Sequence, residues 1–246
     1  RTGESYTTAD ANLIVSASGQ SLPVSQSARG TGLAVLDENG GVMPQLGHFS
    51  AGDLDGSGFD SLVLGGNVRF EGKVALTLPG HLRVAAGGVI YSDGDVLLKA
   101  GHVSLGQAFR TPSQQAPTLF EKGVFGSGAN VTPHFFGPSV GDGSLTVRAG
   151  LIDVGDLSLQ GIGSAILSAP KGDVRGNGTF QIAGNLVVEA GQIYSPTQRS
   201  FNIFAYDSGT TSGSVIIQQG KVRSLPFSAG GSLSIRLPAS DSAVRA

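Results

Sequence analysis

The chain is unusually poor in cysteine, charge and helical patterning. It has 246 residues and no cysteine, which excludes disulfides, thiolate metal ligands and cysteine nucleophiles. Only 14% of residues are charged, the net charge is −2, and lysine and arginine form no cluster, so no nucleic-acid interface is expected. No apolar run approaches the ~18 residues of a membrane-spanning helix. No segment combines a sustained helical repeat with good helix formers, so helices are not expected either.

Glycine is abundant instead, with 39 residues, and serine, threonine and asparagine fill much of the polar remainder. Glycine weakens a helix interior by about 1 kcal/mol, so this composition favours short strands joined by tight turns. The chain begins at Arg1 with neither an initiator methionine nor a signal peptide. We therefore expect a processed product or an internal piece of a longer protein.

An internal repeat indicates how these strands are arranged. Residues 80–89, 94–103, 143–152 and 184–193 share one template, and 231–238 fits its first half. After the first glycine, apolar residues stand two and four positions on, alanine stands at six, and a second glycine at seven. This period of two predicts a strand with one buried face. After the second glycine the apolar positions shift by one residue.

A phase shift of one residue would turn the next side chains outward unless the chain bends there. We therefore predict that Gly87, Gly101, Gly150 and Gly191 lie at equivalent corners, some with positive φ. Strand, corner and strand in repetition predict a parallel β-helix, with stacked strands over 60–106 and 143–237. The side chains predicted to point inward are Leu82, Val84, Val96, Leu98, Leu145, Val147, Leu186 and Val188.

A β-sandwich or an up-and-down barrel is the alternative all-β fold. Asp-Gly and Asn-Gly pairs at 55–56, 93–94, 142–143 and 177–178 are typical of hairpins. The recurring glycine spacing explains more of the chain and favours the solenoid. Leu97 and Val187 fall on outward positions, so they are either single exposed residues or covered by another element.

The sequence divides into four parts. Residues 1–50 are predicted to be an irregular or thin-coil N-terminal part, and 51–106 to form β-solenoid coils. Residues 107–140 contain four prolines and several phenylalanines, which predicts an irregular loop excursion packed on the solenoid. Residues 141–246 are predicted to form further coils and a polar tail.

Several of these segments resemble one protein family. The motifs AGDLDGSGFDSLVL at 51–64, GDLSLQGIGSA at 155–165 and GNLVVEAGQIY at 184–194 are similar to segments of filamentous-haemagglutinin-family large exoproteins. So are 67–76, 172–180, 201–207 and 226–235, and the resemblance extends over roughly 50–237. Each motif carries little information alone, and their order along the chain is more specific.

The resemblance implies a right-handed β-helical fibre exported by two-partner secretion through an outer-membrane pore partner. The chain is then an internal shaft segment of a secreted or surface-displayed bacterial adhesin, and not an enzyme. The implied partners are further solenoid segments of the same or a neighbouring chain, and a host or bacterial surface receptor or glycan, but no nucleic acid. We also expect at least one end to expose strands that more solenoid would cover.

Candidate chemical sites are few, and no catalytic, cofactor-binding or metal-ligating residue is assigned. Asp53, Asp55 and Asp60 follow part of a calcium-loop pattern, but solvated acids at a glycine corner explain them better. Asn130 and Asn177 match the glycosylation sequon. No dense group of acids recurs at the coil spacing, which argues against the alternative function, a β-helical polysaccharide lyase or hydrolase.

The four histidines, at positions 48, 81, 102 and 134, are spread along the chain. His81 and His102 occupy template positions 21 residues apart, about one coil. The spacing predicts that these two side chains stack on one face of the solenoid.

Overall fold

The described residues of this computed structural model form an all-β protein with parallel sheets. They are 12–18, 35–36, 42–43, 46–54, 56–85, 87–106, 137–207, 212–221 and 228–237. Over these ranges there is one short 3-10 helix, Ala51–Leu54, and no α-helix.

The strands are β1 Asn12–Ser16, β2 Val35–Leu36, β3 Val42–Met43, β4 Leu46–Ser50, β5 Leu62–Leu64, β6 Asn67–Glu71, β7 Val74–Thr77, β8 His81–Val84, β9 Val89–Ser92, β10 Asp95–Leu105, β11 Gly143–Val154, β12 Leu157–Gln160, β13 Ile162–Gly176, β14 Gly178–Ala183, β15 Asn185–Tyr194, β16 Ser200–Tyr206, β17 Ser214–Gln219 and β18 Ser232–Arg236. Four strands are long because each continues through a glycine where the sequence predicts a corner or its equivalent. These glycines are Gly101 in β10, Gly150 in β11, Gly172 in β13 and Gly191 in β15.

Two large sheets contain all but two of these strands. The first has the order β4-β1-β6-β9-β12-β14-β16-β18, and the second the order β5-β8-β10-β11-β13-β15-β17, with β7 also paired to β10. From β11 onward the chain alternates between the sheets at every strand. Every pairing within them is parallel, while β2 and β3 form an antiparallel pair.

Parallel pairing of the template segments is therefore confirmed. A hairpin-built sandwich or barrel would pair consecutive strands antiparallel, whereas here strands about one repeat apart are neighbours. Ser168 and Glu189, for example, are hydrogen-bonded neighbours 21 residues apart. The alternation between two parallel sheets is compatible with the β-solenoid predicted from the repeat.

The core lies between the inward faces of the two sheets, and the period of two identifies its residues correctly. All eight side chains predicted to point inward are at most 2% exposed. Phe70, Phe180 and Phe201 from the first sheet are fully buried and are the largest core side chains. Each fully buried side chain of this size contributes roughly 1.5–3 kcal/mol, so stacked apolar rows dominate the stability of the fold.

The prediction of glycine corners with positive φ is wrong, although the change of burial phase that motivated it is present. In β10, burial changes phase at Gly101, because Val96 and Leu98 are buried before it and Val103 and Leu105 after it. None of the four predicted corner glycines has a positive φ, and three of them lie inside continuous strands.

These glycines are needed for close backbone approach instead. A Cβ on Gly101 would lie 2.7 Å from the carbonyl oxygen of Pro79 in the adjacent coil, and one on Gly191 2.5 Å from that of Lys221. Positive φ values occur at other turn glycines, such as Gly88 at 94° and Gly161 at 69°. In β10 the burial phase thus changes at Gly101 within one continuous strand and without a left-handed residue.

Leu97 and Val187, the two apolar residues on outward positions, are not isolated. The register places Leu97, Thr146, Ile166, Val187 and Ile216 side by side on β10, β11, β13, β15 and β17. Ile166 is 41% exposed and Ile216 51%. They form an outward aliphatic row that neither of the two interpretations from the sequence anticipated.

Two of the four predicted parts fall largely outside the described residues. Within 1–50, β1 pairs with β4 and β6 in parallel and so belongs to the first sheet. Of the excursion at 107–140, only 137–140 is described, and there the Ser139 amide donates to the Leu159 carbonyl, 3.2 Å away. The predicted packing of the rest on the solenoid lies outside the described residues.

Gly172 offers the sharpest test of close backbone approach. A Cβ added there would clash with the carbonyl oxygen of Gly150, a backbone atom that cannot rotate away. We expect Gly172→Ala to lower the free energy of unfolding by about 1–3 kcal/mol, the usual range for overpacking. Gly65→Ala is the matched control, because a Cβ there meets no atom within 4 Å. Urea unfolding measures the free energy of unfolding of both variants. Equal values for the two would contradict the close packing of Gly172 against Gly150.

Candidate functional site

The densest group of polar side chains lies on the outer face of the second sheet. Arg83, Ser104, Asp153, Arg175 and Tyr194 are in register on β8, β10, β11, β13 and β15. Each is the third residue after a glycine of the repeat, so the bend places all five in one outward row. We refer to this row, together with His81 and His102, as the polar cluster.

Asp153 is the centre of the polar cluster. Its side chain is only 4% exposed although it faces away from the core. Its Oδ1 accepts a hydrogen bond from Arg175 Nε at 2.8 Å, and its Oδ2 accepts from Arg175 Nη2 at 2.9 Å. His102 Nε2 also donates to Oδ2, at 2.8 Å. The hydrogen bonds from Arg175 to Asp153 raise the pKa of the Arg175 guanidinium above its ordinary value, so Arg175 stays charged.

The two histidines stack as the sequence spacing predicts. Their ring centroids lie 4.5 Å apart with an interplanar angle of 14°. Ser104 sits beside both rings, with its Oγ 3.0 Å from His81 Nε2 and 3.3 Å from His102 Nε2. Partial burial lowers the pKa of His81 below its ordinary value of 6.5, and the nearby charges of His102 and Arg83 lower it further.

Serine, histidine and aspartate meet here without forming a nucleophilic triad. A triad needs the carboxylate on one ring nitrogen and the hydroxyl on the other. In the polar cluster both Asp153 and Ser104 contact the same nitrogen, Nε2 of His102. That nitrogen donates to the carboxylate and cannot also take a proton from Ser104. Both oxygens of Asp153 accept hydrogen bonds from side chains of the neighbouring strands β10 and β13.

Sequence reasoning missed the Asp153–Arg175 pair. The two residues are 22 positions apart, about one coil, and both stand three residues after a glycine. A comparison of the residues at the third position after each glycine would have identified Asp153 and Arg175 as a pair. His102 was harder to connect, because 51 residues separate it from Asp153 across the excursion.

The calcium-loop candidates do not converge in the described residues. Asp53 is exposed in the 3-10 helix, and Asp60 accepts a hydrogen bond from the Ser61 hydroxyl at 3.1 Å. Asp55 lies outside the described residues. Within the part of the chain that the structure describes, no three histidine, aspartate or glutamate side chains are placed to hold a metal ion.

The remaining candidates are scattered. Asn177 follows β13 and is partly buried, with its backbone amide donating to the Val154 carbonyl at 2.8 Å. His48 is exposed on β4. Asn130 and His134 lie outside the described residues.

A second surface is formed where the described coils end. Strand β17 pairs with β15 and β18 with β16, and in the described part of the chain neither has a neighbour on its other side. Ile217 is in register with the inward residue Val188, and Leu233 and Ile235 are in register with inward residues of β16. Their exposures are 52%, 42% and 38%, whereas the side chains beneath them are at most 1% exposed. We refer to these two strands as the open edge.

A scan of the chain against protein-family models found no match, and neither did searches of curated proteins and of solved structures. The resemblance to filamentous-haemagglutinin exoproteins therefore remains a prediction from the sequence. Over the described ranges, the structure contains no helix long and apolar enough to cross a membrane.

The lowered pKa of His81 makes stability depend on pH in a defined direction. Because the folded state disfavours protonation of His81, its contribution to stability is present above pH 6.5 and is lost as pH falls through the lower folded-state pKa. We expect the urea midpoint to fall less between pH 7.5 and 5 in His81→Gln than in the parent chain. His48→Gln, at an exposed site outside the polar cluster, should keep the parent's pH dependence. A His81→Gln profile parallel to the parent's would refute this assignment.

Proposed function

We propose that this chain is a right-handed β-solenoid that serves as a shaft or adhesin segment of a secreted or surface-displayed bacterial exoprotein of the filamentous-haemagglutinin type. The observation that carries the proposal is the open edge. There the inward rows of the core continue into strands whose inward side chains are exposed. An arrangement of this kind suits a segment on which further coils stack.

The open edge has two unmet requirements. Exposed inward side chains such as Ile217 and Ile235 leave apolar surface in water, at a cost of about 25 cal/mol per Å² relative to burial. The outer edges of β17 and β18 also present backbone groups ready for pairing with another parallel strand. One additional coil with aliphatic inward residues would satisfy both requirements at once. Repeat proteins commonly bury their internal interfaces in this way.

The rest of the outer surface supports a structural role over the alternative, a β-helical polysaccharide lyase or hydrolase. A glycosidase needs two carboxyl groups placed across the scissile bond. In the polar cluster the buried carboxylate of Asp153 has both oxygens occupied by Arg175 and His102. A carboxylate held in this way ties adjacent coils together and is not available as an acid, a base or a nucleophile.

The proposal extends to location and partners through the resemblance. The chain would be exported through an outer-membrane pore partner and would act outside the cell in adhesion or fibre formation. The absence of cysteine is consistent with passage in an unfolded state. A surface receptor or glycan would contact the outward rows, and further solenoid segments the open edge.

Self-association tests the stacking role of the open edge. Sedimentation velocity of the isolated chain over a wide concentration range should show association, because the exposed inward rows of one copy can stack on a terminal coil of another. Ile217→Lys and Ile235→Lys should reduce it by placing a charge in the buried rows. The matched control is Ile166→Lys, since Ile166 is 41% exposed but points outward from the middle of the second sheet.

Two results would contradict the proposal. One is a chain that stays monomeric at every concentration, or an Ile166→Lys variant that dissociates as readily as the two edge variants. The other is lyase or hydrolase activity of the parent chain on a panel of polysaccharides, which would establish the enzyme alternative in place of a shaft.

A further inference from the structure

An open groove crosses the outer face of the second sheet beside the glycine bend. Its volume is about 620 Å³, within the size range of small-ligand sites. It is separate from the open edge and from the residues of the polar cluster. The lining side chains that matter here are Pro79, Lys99, Arg148, Ser168, Pro170 and Glu189.

Four of these residues form a single row. Lys99 on β10 is in register with Arg148 on β11, which is in register with Ser168 on β13 and, beyond it, Glu189 on β15. Parallel strands are about 4.8 Å apart, so the row presents one polar group per coil along the solenoid axis. The groove therefore has a basic half and a half that carries a hydroxyl and a carboxylate.

The basic half is electrostatically incomplete. Like charges on directly opposed positions of neighbouring strands destabilise a sheet, and Lys99 and Arg148 are such a pair. Both are exposed, and within the described ranges neither side chain has an ion-pair or hydrogen-bond partner. Glu189 in the same row does have a partner, since it accepts a hydrogen bond from Ser168 Oγ at 2.8 Å. An anion in the groove would relieve the repulsion.

Two prolines border the groove. Pro79 lies along one side, and Pro170 lies in a bulge where four residues of β13, 169–172, stand opposite two residues of β11, 149–150. Proline occurs within sheets at such bulges, which also redirect neighbouring side chains. Ala100 and Ala149 also border the groove, where their side chains turn toward the core and leave the backbone between Lys99 and Gly101 accessible.

We propose that this groove binds an acidic glycan, a chain of sugars that carry carboxylates. Lys99 and Arg148 would bind the carboxylates, with the guanidinium of Arg148 offering the paired donors that match a carboxylate. Ser168 and Glu189 would accept hydrogen bonds from hydroxyls of the next sugar. This inference deepens the adhesive role proposed above and rests on it for its biological setting.

Other ligand classes fit the groove less well. Neutral glycans and single-stranded nucleic acids are commonly held by stacking on aromatic side chains. The described residues that line the groove include no aromatic ring. Two cations also fall short of the extended basic patch that nucleic acids require. The carboxylate of Glu189 would repel a uniform polyanion but suits a ligand that alternates carboxylates with hydroxyls.

Isothermal titration calorimetry with an oligogalacturonate and its neutral methyl ester is the direct test. We expect the acid to bind and the ester to bind at least about tenfold more weakly, since each charge-assisted contact is worth about that factor or more. Lys99→Gln with Arg148→Gln should abolish the preference for the acid. Arg148→Lys should give intermediate affinity, because it keeps the charge and loses the paired donors. Lys73→Gln, at an exposed site outside the groove, should bind like the parent.

Three results would overturn the inference. They are no detectable binding of the oligogalacturonate, equal binding of its neutral ester, and full affinity in the Lys99→Gln, Arg148→Gln variant. A fourth result concerns a sulfated glycan. If it binds more tightly than the oligogalacturonate and the double substitution does not weaken that binding, the anion site lies elsewhere. Self-association of the parent chain is measured in parallel, so a parent chain that stays monomeric but still binds the oligogalacturonate would refute the shaft and spare the groove.

Discussion

Parallel, in-register stacking is the constraint on which this molecule depends. When strands pair in parallel about one repeat apart, each residue lies directly beside its equivalent in the next coil. The side chains of one template position therefore form a continuous row, buried or exposed together. An apolar row such as Val96, Leu145 and Leu186 is self-consistent, and so the core can be extended by simple repetition. A charged row is not, because repetition would place like charges side by side.

The outer surface shows how the sequence avoids placing like charges side by side. Asp153 lies between two donors, Arg175 and His102, and elsewhere a neutral donor lies beside an acid, as where the Ser144 hydroxyl donates to Asp95 at 2.7 Å. Burial strengthens the contacts of Asp153, which is shielded by its neighbours in the row. Pairing of this kind allows an acidic side chain to occupy a stacked row.

Much of the fold could be predicted from the sequence because the apolar period is strictly two and the glycine spacing recurs. The period identified inward residues such as Leu98 and Val188, and the one-residue phase change located the bend at Gly101. The conformation at the bend could not be read in this way. Glycine there serves close contact with the adjacent coil, and a sequence does not distinguish that need from positive φ. The Asp153–Arg175 pair was encoded at the third position after the glycine, whereas the contact between His102 and Asp153 crosses the excursion, where the repeat spacing is lost.

The rows also distinguish the interactions that the described residues complete among themselves from those that would require another molecule. Within the described strands of the two parallel sheets, the apolar rows of the core have neighbours up to β17 and β18, where Ile217 and Leu233 meet no described neighbour. On the outer face of the second sheet, the register places two cations, Lys99 and Arg148, side by side, and neither has an ion-pair partner among the described residues. The open edge is apolar and linear, so it suits a further coil of the same kind. The Lys99–Arg148 pair is ionic and local, so it suits a small repeating unit of opposite charge. A fibre segment that also adheres would need unmet interactions of both kinds, one along its axis and one on its flank.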